Sequence, residues 1–406
     1  MSLTRGSILI LGCFDTKAEE FTFLYNCVST CNKNVITLNT GVRQTKVGFP
    51  ITFSADEVAT AGASSIDELR TNNDRGKAVA IMALGASNII ARLVLEKKIL
   101  GAIGMGGGGG TFIVLSAMQK IPLGIPKLCL STLAGKDLTR QIAGKDITMM
   151  PSIVDIAGLN SISTRLIRQA AAAIIAMADI VPDEQSLKKR IAISMFGNTT
   201  DCVNVCTALL TDQGFEVFVF HSNGLGGKQM ESLVAGGYFD AVLDITTTEL
   251  ADELCGGVCS AGASRLEAAS IAGIPQVVVP GCLDMVNFSQ PDTVPKKYQG
   301  RLLYNWAPDV TLMRTNEDEN RILGKQLVRK LRKSQAPVTI VIPTGGISEI
   351  SKEGSVFYRP EIDNVLFDTI REEAGSELKI VTIDAHINDE QFAREIVAVL
   401  LESMKQ

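Results

Sequence analysis

Histidine is nearly absent from this 406-residue chain, which has two, His221 and His386. A zinc centre built on imidazole therefore lacks ligands, and nine scattered cysteines with no C-x-x-C pair do not replace them. An odd number of cysteines without framework spacing predicts reduced thiols in a cytoplasmic protein. Aromatic residues make up 5% with a single tryptophan, and the net charge is -5 at a pI near 5.4. Stacking platforms and a basic face are both missing, which excludes nucleic acid as a partner class. Long apolar runs are scarce: the longest helix-like one, residues 170–181, is alanine-rich and too short to span a bilayer. No membrane partner is expected. The chain enters a strand at Ser7, which predicts no secretory leader.

What is present is a large apolar complement, 46% of residues, at a mean hydropathy of +0.21. Short Ile- and Val-rich runs alternate with amphipathic stretches along the whole chain. This is the pattern of parallel sheets covered by helices. The polar, proline-containing break Val181-Pro-Asp-Glu-Gln-Ser186 separates two such series. It predicts an N-terminal domain at 1–183 and a C-terminal domain at 187–406. The halves resemble each other: Asp15-Thr16 matches Asn198-Thr199, and Gly41 matches Gly224, at a constant offset of 183. The fold class expected is α/β, two Rossmann-like domains. The ligand cleft is expected between them or at the C-terminal ends of the strands.

The strongest motif is five consecutive glycines, Gly106, Gly107, Gly108, Gly109 and Gly110, between an apolar run and a helix expected from Thr111. Bare main-chain N–H groups at a helix start form an anion site, and five glycines exceed what a tight turn needs. The run Gly12-Cys-Phe-Asp15-Thr16-Lys17 follows the first strand. There Asp15 and Thr16 suit a helix cap and Lys17 offers a charge to phosphate. Ser131 and Thr132 follow another strand and carry hydroxyl donors. Neither glycine site has the spacing of a Walker A loop, so strong hydrolysis of a nucleoside triphosphate is not expected.

In the second half, His221 ends a strand beside the glycine-rich turn Gly224-Leu-Gly-Gly227, a position suited to acid–base chemistry. Asp244 and Glu249, with Asp252 and Glu253 nearby, could hold Mg²⁺ or work as acid and base; Thr248 with Glu249 equally suits a helix start. Asp284 is a polar candidate, and the neighbouring Cys282 is a nucleophile only where its thiolate is stabilised. His386, with Asp384, either orients a helix start or joins the cleft.

Taken in order, these runs resemble one family. They are Asp15-Thr-Lys17, Asp74-Arg-Gly76, Gly106 to Thr111, Gly124-Ile-Pro-Lys127, Val154-Asp-Ile-Ala-Gly-Leu-Asn160, Thr246-Thr-Thr-Glu-Leu-Ala-Asp-Glu253, Leu283-Asp-Met-Val-Asn-Phe288, Thr311-Leu-Met-Arg-Thr315 and Asp384-Ala-His-Ile-Asn388. The chain is similar over nearly its whole length to the Tm-one-like ATP-binding domain family: the N-terminal region of a plant tobamovirus-resistance protein with its bacterial and fungal counterparts. The resemblance implies a homodimer that binds ATP with Mg²⁺. Plant members carry a TIM-barrel region as well, which implies a separately encoded barrel protein as partner here. Where the family reads Val-Ala-Ser-Gly-Asp, this chain has Leu133-Ala-Gly-Lys-Asp137, and the family's His near Tyr304 is replaced in Asn305-Trp-Ala-Pro308.

Three functions are therefore expected to compete. The first is ATP binding, with phosphates on the glycine turn and the first helix start, and a second small ligand or chemistry at His221, Asp244, Glu249, Asp284 and His386. The second is metabolism of a small carboxylate or sugar acid with His221 as acid/base. The third is a non-catalytic partner of a TIM-barrel protein.

Overall fold

The segment Ser7–Gly12 (β1) reads Ser-Ile-Leu-Ile-Leu-Gly, and its side chains alternate between two faces, as a strand requires. Leu9 and Leu11 enter one core and Ile8 and Ile10 another, so both faces are covered. The structure, a computed structural model, describes residues 6–72, 74–142, 144–180 and 188–405. The break at 181–186 lies outside the described residues. The chain divides into two compact units, Met1–Glu184 and Gln185–Gln406.

In the first unit β1 is followed by α1 (Ala18–Ser29), β2 (Val35–Asn39), α2 (Ala55–Ala61), α3 (Ile66–Asn72), α4 (Arg75–Leu95), β3 (Ile99–Gly106) and α5 (Gly108–Met118). Then come β4 (Lys127–Ser131), α6 (Thr139–Ile142), β5 (Ile147–Pro151) and α7 (Ser161–Ala178). The five strands are parallel in the order β2-β1-β3-β4-β5. Helices α4 and α5 cover the Leu9 face, and α1 and α7 the Ile8 face.

The second unit runs β6 (Arg190–Met195), α8 (Thr200–Asp212), β7 (Glu216–His221), α9 (Leu225–Ala235), β8 (Ala241–Thr246), α10 (Thr248–Cys255), α11 (Ala268–Ala272) and β9 (Gln276–Gly281). It continues β10 (Met285–Phe288), β11 (Leu303–Ala307), β12 (Val310–Arg314), α12 (Glu317–Leu331), β13 (Val338–Pro343), α13 (Pro360–Ala374), β14 (Lys379–Ile383) and α14 (Glu390–Ser403). Its six parallel strands lie in the order β7-β6-β8-β9-β13-β14. The first five repeat the order of the first unit. Both units are Rossmann-like α/β folds. In each, the strand order reverses beside the first strand, between β1 and β3 and between β6 and β8, and such switch points open a crevice at the carboxyl ends of strands.

Several elements depart from expectation. Helix α5 starts inside the glycines, at Gly108 rather than Thr111. Between β9 and β13 the chain inserts a three-stranded antiparallel sheet, β10-β12-β11, of which only the strand near 310–313 was expected. Helices α2 and α3, seven residues each, are too short to show a helical period. The helix expected over 264–272 is confined to Ala268–Ala272. Among the described residues, the helix long and apolar enough to cross a bilayer is α4, not 170–181, with a mean hydropathy of 1.9 over its most apolar window. Half of that window is buried in the first unit, against α5 and α2, which makes α4 a core helix.

Candidate functional site

The switch point of the first unit opens into a cavity of about 660 Å³. Four strand ends supply its wall: Cys13, Asp15, Thr16 and Lys17 after β1, Thr40 to Arg43 after β2, Met105 to Gly110 at β3, and Thr132 after β4. Arg75, Ala78, Val79 and Met82 of α4 complete it, at the spacing of one helix face, with Asp74, Leu69, Ile113 and Asp155. One side is thus apolar, and the other carries charge and bare backbone. The volume lies in the range of small-molecule sites.

The glycines do different work. A Cβ on Gly106 would stand 2.7 Å from the Gly110 carbonyl carbon and the Thr111 nitrogen, so this glycine lets the strand meet its helix. A Cβ on Gly108 would meet nothing within 4 Å, whereas one on Gly109 would come to 3.3 Å from Val79. Gly107 is the N-cap of α5 and no side chain caps the helix. The first-turn N–H groups therefore have no intrahelical acceptor and lie along the cavity wall.

Some expected ligand residues serve the frame instead. Gly12 is absent from the cavity wall; a Cβ there would stand 2.1 Å from the Phe21 ring, so its bareness is a packing requirement. Thr111 and Ser131 are buried and their hydroxyls pair at 2.6 Å. Thr111 also donates to the Gly106 carbonyl at 3.1 Å, and the Ser131 Oγ accepts the Leu133 N–H at 2.9 Å. Together they hold the glycine turn against β4. Asp15 and Thr16 do not cap α1, whose N-cap is Lys17 without a side-chain bond. Asp15 Oδ2 accepts the Arg43 N–H at 2.9 Å, which pulls it away from the helix, while its Oδ1 is buried without a partner. The Lys17 ammonium donates to the Ile156 carbonyl at the cavity edge.

The wall also holds Arg43, Asp74, Arg75 and Asp155, which were not picked as site residues from sequence. Asp74 reads as a helix cap, and does accept the Lys77 N–H at 3.0 Å. Its neighbours in space come from other strand ends, so chain spacing carries no signal for Arg43. The runs containing Asp74-Arg75 and Asp155 were visible only through the family resemblance.

The second-unit candidates separate into three places. Asp244 and Glu249 are buried around Arg265, which has no exposure. Its Nη1 and Nη2 donate to the Asp244 carboxylate at 2.5 and 2.7 Å, and its Nε to Glu249 Oε2 at 2.6 Å. Glu249 Oε1 accepts the Gly224 and Gly227 N–H groups at 2.8 and 3.1 Å, so this glycine nest is filled by the chain's own carboxylate. Glu231 joins the cluster, and burial pushes its carboxyl up against the pull of Arg265. Asp244 and Glu249 are thus committed to a buried cation rather than open to Mg²⁺ or proton transfer, a correction to the sequence reading. No group of three or more His, Cys, Asp or Glu placed to hold a metal occurs among the described residues.

Asp284 and His386 do come together, through Ser348. The Ser348 hydroxyl donates to Asp284 Oδ2 at 2.7 Å, and His386 Nε2 lies 2.9 Å from the Ser348 carbonyl. His386 Nδ1 accepts the Asn388 N–H at 3.2 Å, which leaves Nε2 to carry the proton. Asp284 is fully buried with Oδ1 unpartnered; burial raises its carboxyl, opposed by the Arg314 charge. Burial likewise drives the Cys282 thiol well above its usual range, so no stabilised thiolate exists there. His221 is exposed, tilted against the Phe196 ring at 5.4 Å, and no hydrogen bond joins it to either group among the described residues.

Family profiles match both units. The N-terminal domain of an uncharacterised protein family (UPF0261) matches residues 6–183, and its C-terminal domain matches residues 188–404. The chain belongs to the UPF0261 family. A UPF0261 protein of Clostridium tetani is 43% identical over 401 residues, covering 98% of this chain and 99% of that one. One from Mesorhizobium japonicum is 40% identical over 396 residues, 97% of this chain and 98% of its own. The ToMV resistance protein Tm-1(GCR237) of Solanum lycopersicum is 34% identical over 419 residues, which covers 97% of this chain but 55% of the tomato protein. In this UPF0261 chain, four of the runs that carried the resemblance, at 15–17, 74–76, 106–111 and 154–160, contribute residues to the first-unit cavity.

Proposed function

We propose that the first-unit cavity binds a nucleoside triphosphate, ATP, with Mg²⁺. The observation that carries this reading is an open cavity at the sheet's switch point, walled by the uncapped glycine start of α5. Phosphate oxygens would accept from the first-turn N–H groups, with Arg43, Arg75 and Lys17 supplying positive charge. The apolar face of α4, with Ala78, Val79 and Met82, would take the base. Asp15, with its unpartnered buried oxygen, would be the carboxylate that holds a hydrated Mg²⁺, which commonly takes one or two protein carboxylates beside the phosphates. Bound Mg²⁺ would neutralise phosphate charge and fix its orientation.

Calorimetric titration with ATP and Mg²⁺ tests the reading. Gly108→Asp places a carboxylate where there is room for a Cβ, and should weaken ATP on the order of tenfold without loss of fold. Failure of the parent protein to bind ATP at millimolar concentration would sink the proposal. The reading with His221 as acid/base on a sugar acid gains no support from this cavity, whose wall does not include His221. A homodimer and a separately encoded barrel partner, both drawn from the family resemblance, remain proposals for affinity capture and sedimentation.

A further inference from the structure

A second hollow of about 420 Å³ adjoins the first, lined among others by Ser131, Thr132, Ser152, Ile153, Val154 and Asp155. Thr132 and Asp155 line both cavities, so the two share a wall. The loop after β5 that forms this wall is held from several sides. Ser152 N donates to the Ser131 carbonyl at 3.1 Å, the Ser152 hydroxyl to the Val154 carbonyl at 2.6 Å, and Gly158 N to Glu20 at 2.6 Å. Lys17, on the first cavity, bonds the Ile156 carbonyl. The hold is firm enough to keep Ile153, a β-branched residue 74% exposed, at a φ of +61°. The Ser131 and Ser152 hydroxyls are spent on the frame, so the lining offers the exposed Thr132 hydroxyl and the Asp155 carboxylate, with no cationic side chain among the described residues. Such a lining suits a neutral hydroxylated molecule and disfavours an anion.

Resting on the nucleotide reading above, we infer that the second hollow is the acceptor subsite of a phosphoryl transfer to a neutral polyol or sugar, with Asp155 as the base. The acceptor hydroxyl oxygen forms a bond to the γ phosphorus. The bond from that phosphorus to the β–γ bridging oxygen breaks, and its electron pair leaves with the nucleoside diphosphate. The hydroxyl proton passes to the Asp155 carboxylate. Asp155 is exposed and stands on the wall common to both cavities, the one place where it can face donor and acceptor together.

The test measures ATP affinity by calorimetry and ADP release with ATP and Mg²⁺, for the full chain, over a panel of neutral polyols and sugars and of sugar acids. A neutral member is expected to raise ADP release about tenfold or more over water alone. Asp155→Asn should lower the stimulated rate about a hundredfold with ATP affinity held within about threefold. Val154→Phe, which fills the second hollow alone, should raise the acceptor KM with little change in kcat. Firm ATP binding with no stimulation, stimulation by sugar acids only, or stimulation that survives Asp155→Asn overturns the acceptor subsite and leaves the nucleotide reading standing. Absence of ATP binding overturns both.

Discussion

Two buried acidic residues show how the same side-chain type takes different roles by environment. Asp252 has no exposure, and burial pushes its carboxyl up to about 7 although the Cys259 and Asn287 N–H groups and the Asn287 side-chain amide favour its ionised form. In the folded protein it keeps its proton after the unfolded chain has lost it near pH ~4, so its support for folding is full below that value and fades as pH rises to about 7. Asp252→Asn should remove this slope: urea unfolding between about pH 4 and pH 8 should show the parent protein losing stability relative to the variant. Parallel curves would refute it. Glu249 instead stays with Arg265. Arg265→Met strips the cation that pairs three carboxylates and should cost about 3–5 kcal/mol in denaturant unfolding. A cost near zero would show the cluster to be dispensable.

At the scale of elements, the β3–α5 junction separates tight packing from open cavity wall within five residues. Gly106→Ala drives a Cβ into the backbone of α5 and should destabilise the first unit by more than about 1 kcal/mol. Gly108→Ala enters open space and gains helix propensity, so stability should hold or rise by up to about 1 kcal/mol. Thermal unfolding of the pair checks this; equal destabilisation by both would mean that the turn tolerates no side chain anywhere. The parallel strands were legible because buried strands read as continuous Ile and Val runs, and the glycine motif because it interrupts one. Of the β10-β12-β11 sheet only β12 was: β10 is four residues long and β11 is largely exposed, so length fails to mark the one and hydropathy the other. The start of helix α10 at Thr248 was one of two readings left open, since Thr248 and Glu249 suit a helix start as well as an open site; burial of Glu249 and Asp252 decides for the helix.

For the molecule as a whole, each unit has its own hydrophobic cores: one on either face of the β2-β1-β3-β4-β5 sheet, and separate clusters around β6, β8, β9 and β13. The duplication glimpsed in Asp15-Thr16 and Asn198-Thr199 extends to strand order, yet the two switch points differ. The first opens into a cavity. Beside the second, the glycine nest of Gly224 and Gly227 is stoppered by Glu249 and its arginine. The amino-acid order alone determined the α/β class, the repeat of two Rossmann-like series and a glycine turn between a strand and a helix, because strand and helix periods and backbone freedom are local properties. Only the tertiary structure decided which polar residues face the cavity. Gly12, Thr111 and Ser131 turn inward, Asp244 and Glu249 close on Arg265, and Arg43 and Asp155 converge from distant strand ends on Arg75 at the start of α4. Burial and charge pairing depend on neighbours that chain separation does not encode.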